Sequence, residues 1–459
     1  MLQHKLQALF DEPACAKNRA KDDKSRKKGC SGKPLTPGNT AGGCAFDGAK
    51  IVLQPITDAA HLVHGPIACE GNSWDSRHSK SSGPMLYRTG LTTDLGELDV
   101  IYGGEKRLYR AIKEVVARFD PPAVFVYQTC VTAMIGDDIA KVCEVARQRL
   151  GRPVIPVNTP GFVGKKNLGT KLAGEVLLEH VIGTEEPETT TPTDINLLGE
   201  YNVSGDLWNV KPLLERLGIR LLTSITGDAR YHEVTKAHRA RVNMMVCSQA
   251  LINLARKMEE RWGIPYFEGS FYGVPETSRS LRTIARMLVE RGAEAALLDR
   301  TETLIAAEES RVSAELSDVL PVLKGNKVLL YTGGVKSWSM IAALQWAGMT
   351  VIGTSVRKAT EDDKHRAAAL MGEEGGLWET LPQRDMYRML KNGEADILLS
   401  GGRTQYVALK AKTPWLDSNQ ERHSAYAGYD GAITLLKGIH KALVNPIWAQ
   451  VRSTPPWEV

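Results

Sequence analysis

The sequence predicts an α/β protein made of three doubly wound units with mainly parallel sheets. The length of 459 residues is too great for one ordinary core, at about 150 residues per domain. From Cys44 onward, apolar strand-like runs alternate with runs whose apolar residues recur at three and four, the period of a helix packed on a sheet. Several strand-like runs end in a glycine pair or a cysteine and then turn into a helix. That is the pattern of sheets whose ligands lie beyond the carboxyl ends of the strands.

Residues 1–43 are polar, Gly/Pro-rich and without apolar period, and are expected to be a flexible tail. Its basic stretch, Lys17–Lys33, reads as a solvated face. The first unit is placed at 44–190. In it Ile51–Ile56 (IVLQPI) is expected as a strand, Arg107–Phe119 as a helix and Ala123–Cys130 (AVFVYQTC) as a buried strand ending on a cysteine. Asp137–Leu150 follows as a helix opened by acidic residues that suit its positive end, then strand Pro153–Pro160 and helix Thr170–Gly183. The Pro/Thr-rich Thr184–Asp194 marks a boundary. The second unit, 191–325, starts with Ile195–Tyr201 and continues through a helix near Trp208–Leu217, strand Arg220–Thr226, Val242–Ser248 running into a helix, and a long helical stretch over Thr277–Leu320. The third unit, 326–459, opens on Lys327–Gly334 (KVLLYTGG) and holds further strands at MTVIGTS and Ala395–Gly402 (ADILLSGG).

Composition bounds the function. The apolar fraction of 42 % and charged fraction of 24 % are those of a soluble globular protein, and a net charge of +5 concentrated in the tail does not argue for nucleic acid. No apolar run is long enough to span a membrane, and the N-terminus lacks a signal peptide's apolar core, so a cytoplasmic protein is expected. In a reducing compartment the seven cysteines do not form a disulfide framework; each is either a small buried hydrophobe or a metal ligand. Cys143, within a helix, suits packing. Cys15 and Cys30 lie in the tail.

Three cysteines stand apart. Cys44 lies in GGCAFDG, Cys69 in HGPIACEG and Cys130 in YQTCVTAMIGDD, each at a sharp backbone turn. Soft thiolates suit iron–sulfur clusters or zinc, and the lack of a CxxC pair speaks against a zinc ribbon. Three ligands are one short of a four-iron cubane, which leaves the fourth to another chain. Thr332–Val335 (TGGV) lacks the spacing of a nucleotide loop. It is either a tight strand-to-helix turn or a place where backbone N–H groups meet an anion, with Lys336 adding charge. Asp137-Asp138 is best read as a helix N-terminus, and His64, before Gly-Pro, as a satisfied polar residue.

Together HGPIAC, CxxxxIGDD, GEYN, FEGSFYG, YTGGVKSW and AGYDG resemble the nitrogenase component 1 family through essentially the whole chain. Within it the resemblance is to the larger subunit of the scaffold that assembles the iron–molybdenum cofactor. The resemblance implies three Rossmann-like domains around a cofactor cavity, the C-terminal part returning toward the first. It also implies an α2β2 heterotetramer with a related partner chain. Cys44, Cys69 and Cys130 would then bind a [4Fe-4S] cluster completed by that partner. A second site would receive an eight-iron precursor from a donor protein. Molybdenum and homocitrate are added there with the nitrogenase iron protein, and the product passes to the catalytic component. Cys247 matches the catalytic chain's cysteine ligand, Asn419 falls near its histidine ligand to molybdenum, Lys336 where it has a cofactor-facing arginine, and Arg77 near an arginine by the cavity; Gly333 and Gly334 flank the same pocket.

The departures point to assembly, not catalysis. The catalytic chain's histidine-bearing stretch is here NLGTK, Asn167–Lys171, and a carboxamide at Asn419 is a poorer metal ligand than imidazole. The alternatives are a catalytic α chain, the vanadium-system counterpart of the scaffold, and a tetrapyrrole-reducing relative, which Cys247 disfavours.

Overall fold

The computed structural model describes residues 43–454 apart from 75–78, 247, 333–336, 358, 373–374 and 420–421. The tail, with Cys15 and Cys30, lies outside the described residues, as do Arg77, Cys247, Gly333, Gly334 and Lys336.

Three separate sheets carry the fold, and every strand pair in them is parallel. The first contains β1 (Ala60–His64), β2 (Leu91–Thr92), β3 (Val124–Gln128) and β4 (Val154–Val157) in the order β2-β1-β3-β4. The second contains β5 (Asp194–Leu198), β6 (Arg220–Ile225), β7 (Val242–Met245) and β8 (Tyr266–Glu268) in the order β6-β5-β7-β8. The third contains β9 (Lys327–Tyr331), β10 (Thr350–Ser355), β11 (Gly376–Trp378), β12 (Ile397–Ser400) and β13 (Trp415–Asp417) in the order β11-β10-β9-β12-β13. The central strands β1, β3 and β5 are buried along their whole length, which is why they read as unbroken apolar runs. One apolar core joins the second and third sheets, from Ile195 to Ile439, and another runs from Phe46 through Tyr127 to Leu254 and Met258, joining the first and second.

One expected strand is a helix. Ile51–Leu53 belongs to helix Ala45–Leu53, all nine residues of which are buried. A helix covered on every side shows no amphipathic period, so its apolar run cannot be told from a strand by pattern. The partner that covers it is helix Lys166–His180. Glycines allow the approach: a Cβ on Gly48 would stand 1.9 Å from the Lys166 carbonyl oxygen, and one on Gly169 equally close to that of Ala45. The long helical stretch is two helices, Val274–Glu290 and Ala296–Glu315, separated at Gly292, whose φ of 99° glycine adopts without strain. Strand β1 runs into the HGPIACEG loop and is not among the expected strands.

Distant motifs meet in the tertiary structure. Tyr272 of FEGSFYG pairs in an antiparallel bridge with Ala427 of AGYDG, and Gly428 N–H donates to the Phe271 carbonyl at 2.7 Å. Gly273 needs its φ of 78°, and a Cβ there would strike Ala343 on the helix Ser337–Trp346 at 2.3 Å. The helix Gly428–Leu443 packs on helices Asp206–Arg216, Val274–Glu290 and Ala296–Glu315. Among the described residues, no helix is long and apolar enough to cross a membrane.

Candidate functional site

Cys44, Cys69 and Cys130 come together, and the parallel first sheet explains how. Strand β1 lies beside β3, with His64 opposite Gln128, and β3 beside β4. Their carboxyl ends therefore release the loops of Cys69, Cys130 and Gly161 side by side. Cys44 arrives from the other direction. It bridges Lys165, Ala45 N–H donates to the Gly164 carbonyl at 2.9 Å, and Lys166 N–H donates to that of Gly43 at 2.7 Å. Each thiol stands at a helix N-terminus: Cys44 caps Ala45–Leu53, Cys69 is in the first turn of Ile67–Trp74, and Cys130 opens Cys130–Met134.

Gly161 is the floor of this cluster. A Cβ on it would lie 3.0 Å from both the Cys130 and the Cys44 sulfur. Burial pushes the Cys69 thiol above its ordinary pKa, and the neighbouring Cys130 and Cys44 sulfurs push it further. Three neighbouring sulfurs, with the Cys69 thiol resisting ionisation, are a donor set that a cationic iron cluster would satisfy. Among the described residues no group of three His, Cys, Asp or Glu converges on one metal-ion position. The residues present fit three-quarters of a four-iron cluster.

Polar pairs hold the loops. The His64 side chain bonds Asp137 at 2.9 Å and Thr93 at 3.1 Å, and Asp137 also accepts from Gly104 N–H at 3.0 Å. The Thr129 and Thr132 hydroxyls both donate to the His64 carbonyl, tying the Cys130 turn to the Gly65-Pro66 turn. Gly65 is required there, since a Cβ would meet the Thr129 hydroxyl at 2.2 Å. Asp138 caps the next helix by accepting from Lys141 N–H. His64 and Asp138 thus play the structural parts expected of them. Cys143 is buried, its thiol pushed up to about 12 by burial, and packs in the core of the first sheet.

Exposed apolar side chains flank the thiols. Ile67 is 61 % exposed, Met134 78 % and Phe162 61 %; they stand two residues before Cys69, four after Cys130 and next to Gly161. Leu98, Ile101 and Tyr102, 70 % or more exposed, follow Leu95, whose N–H donates to the Gly65 carbonyl at 3.2 Å. A patch of this kind on a folded surface marks an interaction site.

Of the second predicted constellation only Asn419 is among the described residues, and the structure describes the segments beside the others. Cys247 follows β7, whose exit is fixed by Val246 N–H donating to the Leu198 carbonyl at 2.8 Å. Gly333, Gly334 and Lys336 lie between Thr332 and Ser337, whose hydroxyls are 3.1 Å apart. Arg77 precedes Ser79-Lys80, which is pinned to the second unit: Lys80 N–H donates to the Asn202 carbonyl and the Asn202 amide donates to that of Lys80, both at 2.9 Å. Asn419 is half-buried just past β13, its N–H donating to Asp417 at 2.7 Å. NLGTK forms the opening turns of helix Lys166–His180.

Arg422 is the residue that pattern reading missed. It is buried, donates to the Asn419 carbonyl at 2.9 Å and to the Tyr272 hydroxyl at 3.1 Å, and pairs with the buried Asp206. Its guanidinium lies 5.7 Å from the Tyr272 ring centre and 5.4 Å from that of Tyr426. Asp206 also accepts from Tyr426 and Ala427 N–H groups. This network fastens the Asn419 loop to the second unit. Nothing local marks it, because its members are separated by up to 221 positions.

The model of the nitrogenase component 1 type oxidoreductase family matches residues 44–444. The chain belongs to the nitrogenase component 1 family. It is similar over its whole length to the nitrogenase iron-molybdenum cofactor biosynthesis protein NifE of Mesorhizobium japonicum, at 62 % identity over 458 residues and 92 % of that relative. The protein of the same description from Klebsiella pneumoniae is 50 % identical, with both chains covered completely. The solved structure of nitrogenase Cp1 at pH 5 superposes with a TM-score of 0.84 at 28 % identity, covering 93 % of this chain and 92 % of that one. The family fold is therefore the one expected from the sequence, built on parallel α/β sheets.

Proposed function

We propose that this chain is the scaffold subunit on which the nitrogenase iron–molybdenum cofactor is matured. It works with a NifN-type partner in an α2β2 heterotetramer. The observation that carries the reading is the Cys44 and Cys130 sulfurs meeting over Gly161, with Cys69 near both, beside exposed apolar residues, which supports a site finished by another chain. Cys44, Cys69 and Cys130 hold three irons of a [4Fe-4S] cluster and the partner supplies the fourth ligand. Bound there, such a cluster supplies one-electron transfer.

The cargo is a separate matter. An eight-iron precursor, delivered by a donor protein, is the substrate of the second pocket. The Cys247 thiolate holds one end of it. Backbone N–H groups at Gly333-Gly334 and the Lys336 ammonium offset its negative charge, as does Arg77. Asn419 faces the end at which molybdenum and homocitrate are installed with the help of the nitrogenase iron protein. A neutral carboxamide binds metal weakly, so the product leaves for the catalytic component. The Arg422 network keeps the Asn419 carbonyl fixed.

The test is anaerobic co-purification with the partner, followed by metal analysis and EPR. Cys69→Ala is expected to abolish the four-iron signal and leave the precursor site loadable; unchanged EPR and iron count would refute the ligand assignment. Cys247→Ala is expected to impair retention of the precursor. Acetylene reduction by the complex at a rate like that of the catalytic component would sink the scaffold reading.

A further inference from the structure

Beneath the three thiols lies a buried charge pair that the functional reading does not use. Lys50 stands on the helix capped by Cys44, and Glu70 is the residue after Cys69. Their side chains form an ion pair, 1 % and 6 % exposed. Beside it His61 and Tyr127 form a second buried couple. The His61 ring bonds the Ile56 carbonyl at 3.1 Å, so that nitrogen carries the proton, and the Tyr127 hydroxyl donates to the other at 2.8 Å. Tyr127 also meets Phe46, two residues from Cys44, edge to face with ring centres 6.1 Å apart.

A buried ion pair is a poor way to gain stability. Removing two charges from water costs several kcal/mol each, and apolar replacements of similar volume are often neutral or stabilising. What the pair supplies is geometry. Helices in apolar contact slide and rotate over one another at small cost, whereas a charge-assisted hydrogen bond in a low-dielectric interior has a narrow optimum. The helices so joined are the two that carry Cys44 and Cys69.

We infer that Lys50 and Glu70 are positioning residues for the cluster, locking the Cys44 helix to the Cys69 helix so that these two thiolates stand at cluster spacing before iron arrives. This rests on the assignment of Cys44, Cys69 and Cys130 as ligands. Groups that orient metal ligands from the outer shell typically cost about 10–100-fold in metal affinity when removed.

The experiment uses the complex with its partner, purified anaerobically. Three variants are compared with the unaltered protein and with Cys69→Ala: Glu70→Gln, Lys50→Met, and Lys50→Met combined with Glu70→Met. Each single variant is expected to lose about 10-fold in cluster affinity and to shift the EPR line shape and midpoint potential of the fraction that still loads. The double variant removes both members of the pair, so its melting temperature is expected to recover toward that of the unaltered complex while its iron content and EPR do not. Normal iron content, EPR and potential in the double variant would overturn the positioning role. If the Cys69→Ala complex kept its four-iron signal, the ligand assignment would fall instead, so the two failures are distinguishable.

Discussion

Gly161→Ala is a one-carbon test of the thiol site. The added Cβ would stand 3.0 Å from the Cys44 and Cys130 sulfurs and 3.1 Å from the Cys44 Cβ, where heavy-atom contacts are best at about 3.5–4.0 Å. Gly161 is not among the glycines with positive φ, so the backbone itself accepts alanine. In the metal-free protein the half-buried thiols turn about χ1 to carry both sulfurs away, at about 0.5–1.5 kcal/mol, which leaves only the 3.1 Å contact with the Cys44 Cβ. In the loaded protein the sulfurs are fixed on iron and cannot turn. The overpacking cost of about 1–3 kcal/mol then falls on cluster binding, a loss of roughly 5- to 150-fold at 1.4 kcal/mol per decade. Iron content and EPR of the anaerobic complex read the loading, and thermal melting of the metal-free chain reads the fold. A complex that loads fully with an unaltered spectrum would refute the placement of both sulfurs over Gly161.

Other outcomes follow from buried polar groups. Arg422→Met removes the counter-charge of the Asp206 carboxylate and is expected to cost about 3–5 kcal/mol in urea unfolding; adding Asp206→Asn is expected to recover part of the loss, and strict additivity of the two would refute the network. The His61 pKa is lowered to about 3, by burial first and then by the Lys50 charge. The unfolded chain therefore binds a proton that the folded chain refuses, and stability is lost as pH falls below 6.5. For this residue the loss is about 2 kcal/mol between pH 6.5 and about pH 5. His61→Gln is expected to flatten that part of the melting profile, and an unchanged slope would count against a neutral buried imidazole. Cys143→Ala is expected to leave iron content and EPR unchanged, since burial keeps that thiol protonated; lost iron would make it a ligand.

Local pattern was enough to recognise the fold class. The alternation of buried strands and amphipathic helices identified parallel α/β sheets, because burial on both faces writes an unbroken apolar run and burial on one writes a period. Cys44, Cys69 and Cys130 were legible as a group because each sits at a turn, between glycines, after Gly-Pro or at the end of an apolar strand, with no partner nearby in sequence. The helix Ala45–Leu53 was not legible, since covering all its faces erases the period that distinguishes helix from strand. Only the tertiary structure decided what lies between distant positions: the shared floor at Gly161, the Lys50–Glu70 pair beneath the thiols, and the Arg422–Asp206 network behind Asn419. A lone lysine in the apolar run AFDGAKIVL was a hint of the second, but a charge's partner is chosen by packing. Residue type and spacing record what a segment does with its neighbours along the chain, whereas the contacts that hold these sites are made across it.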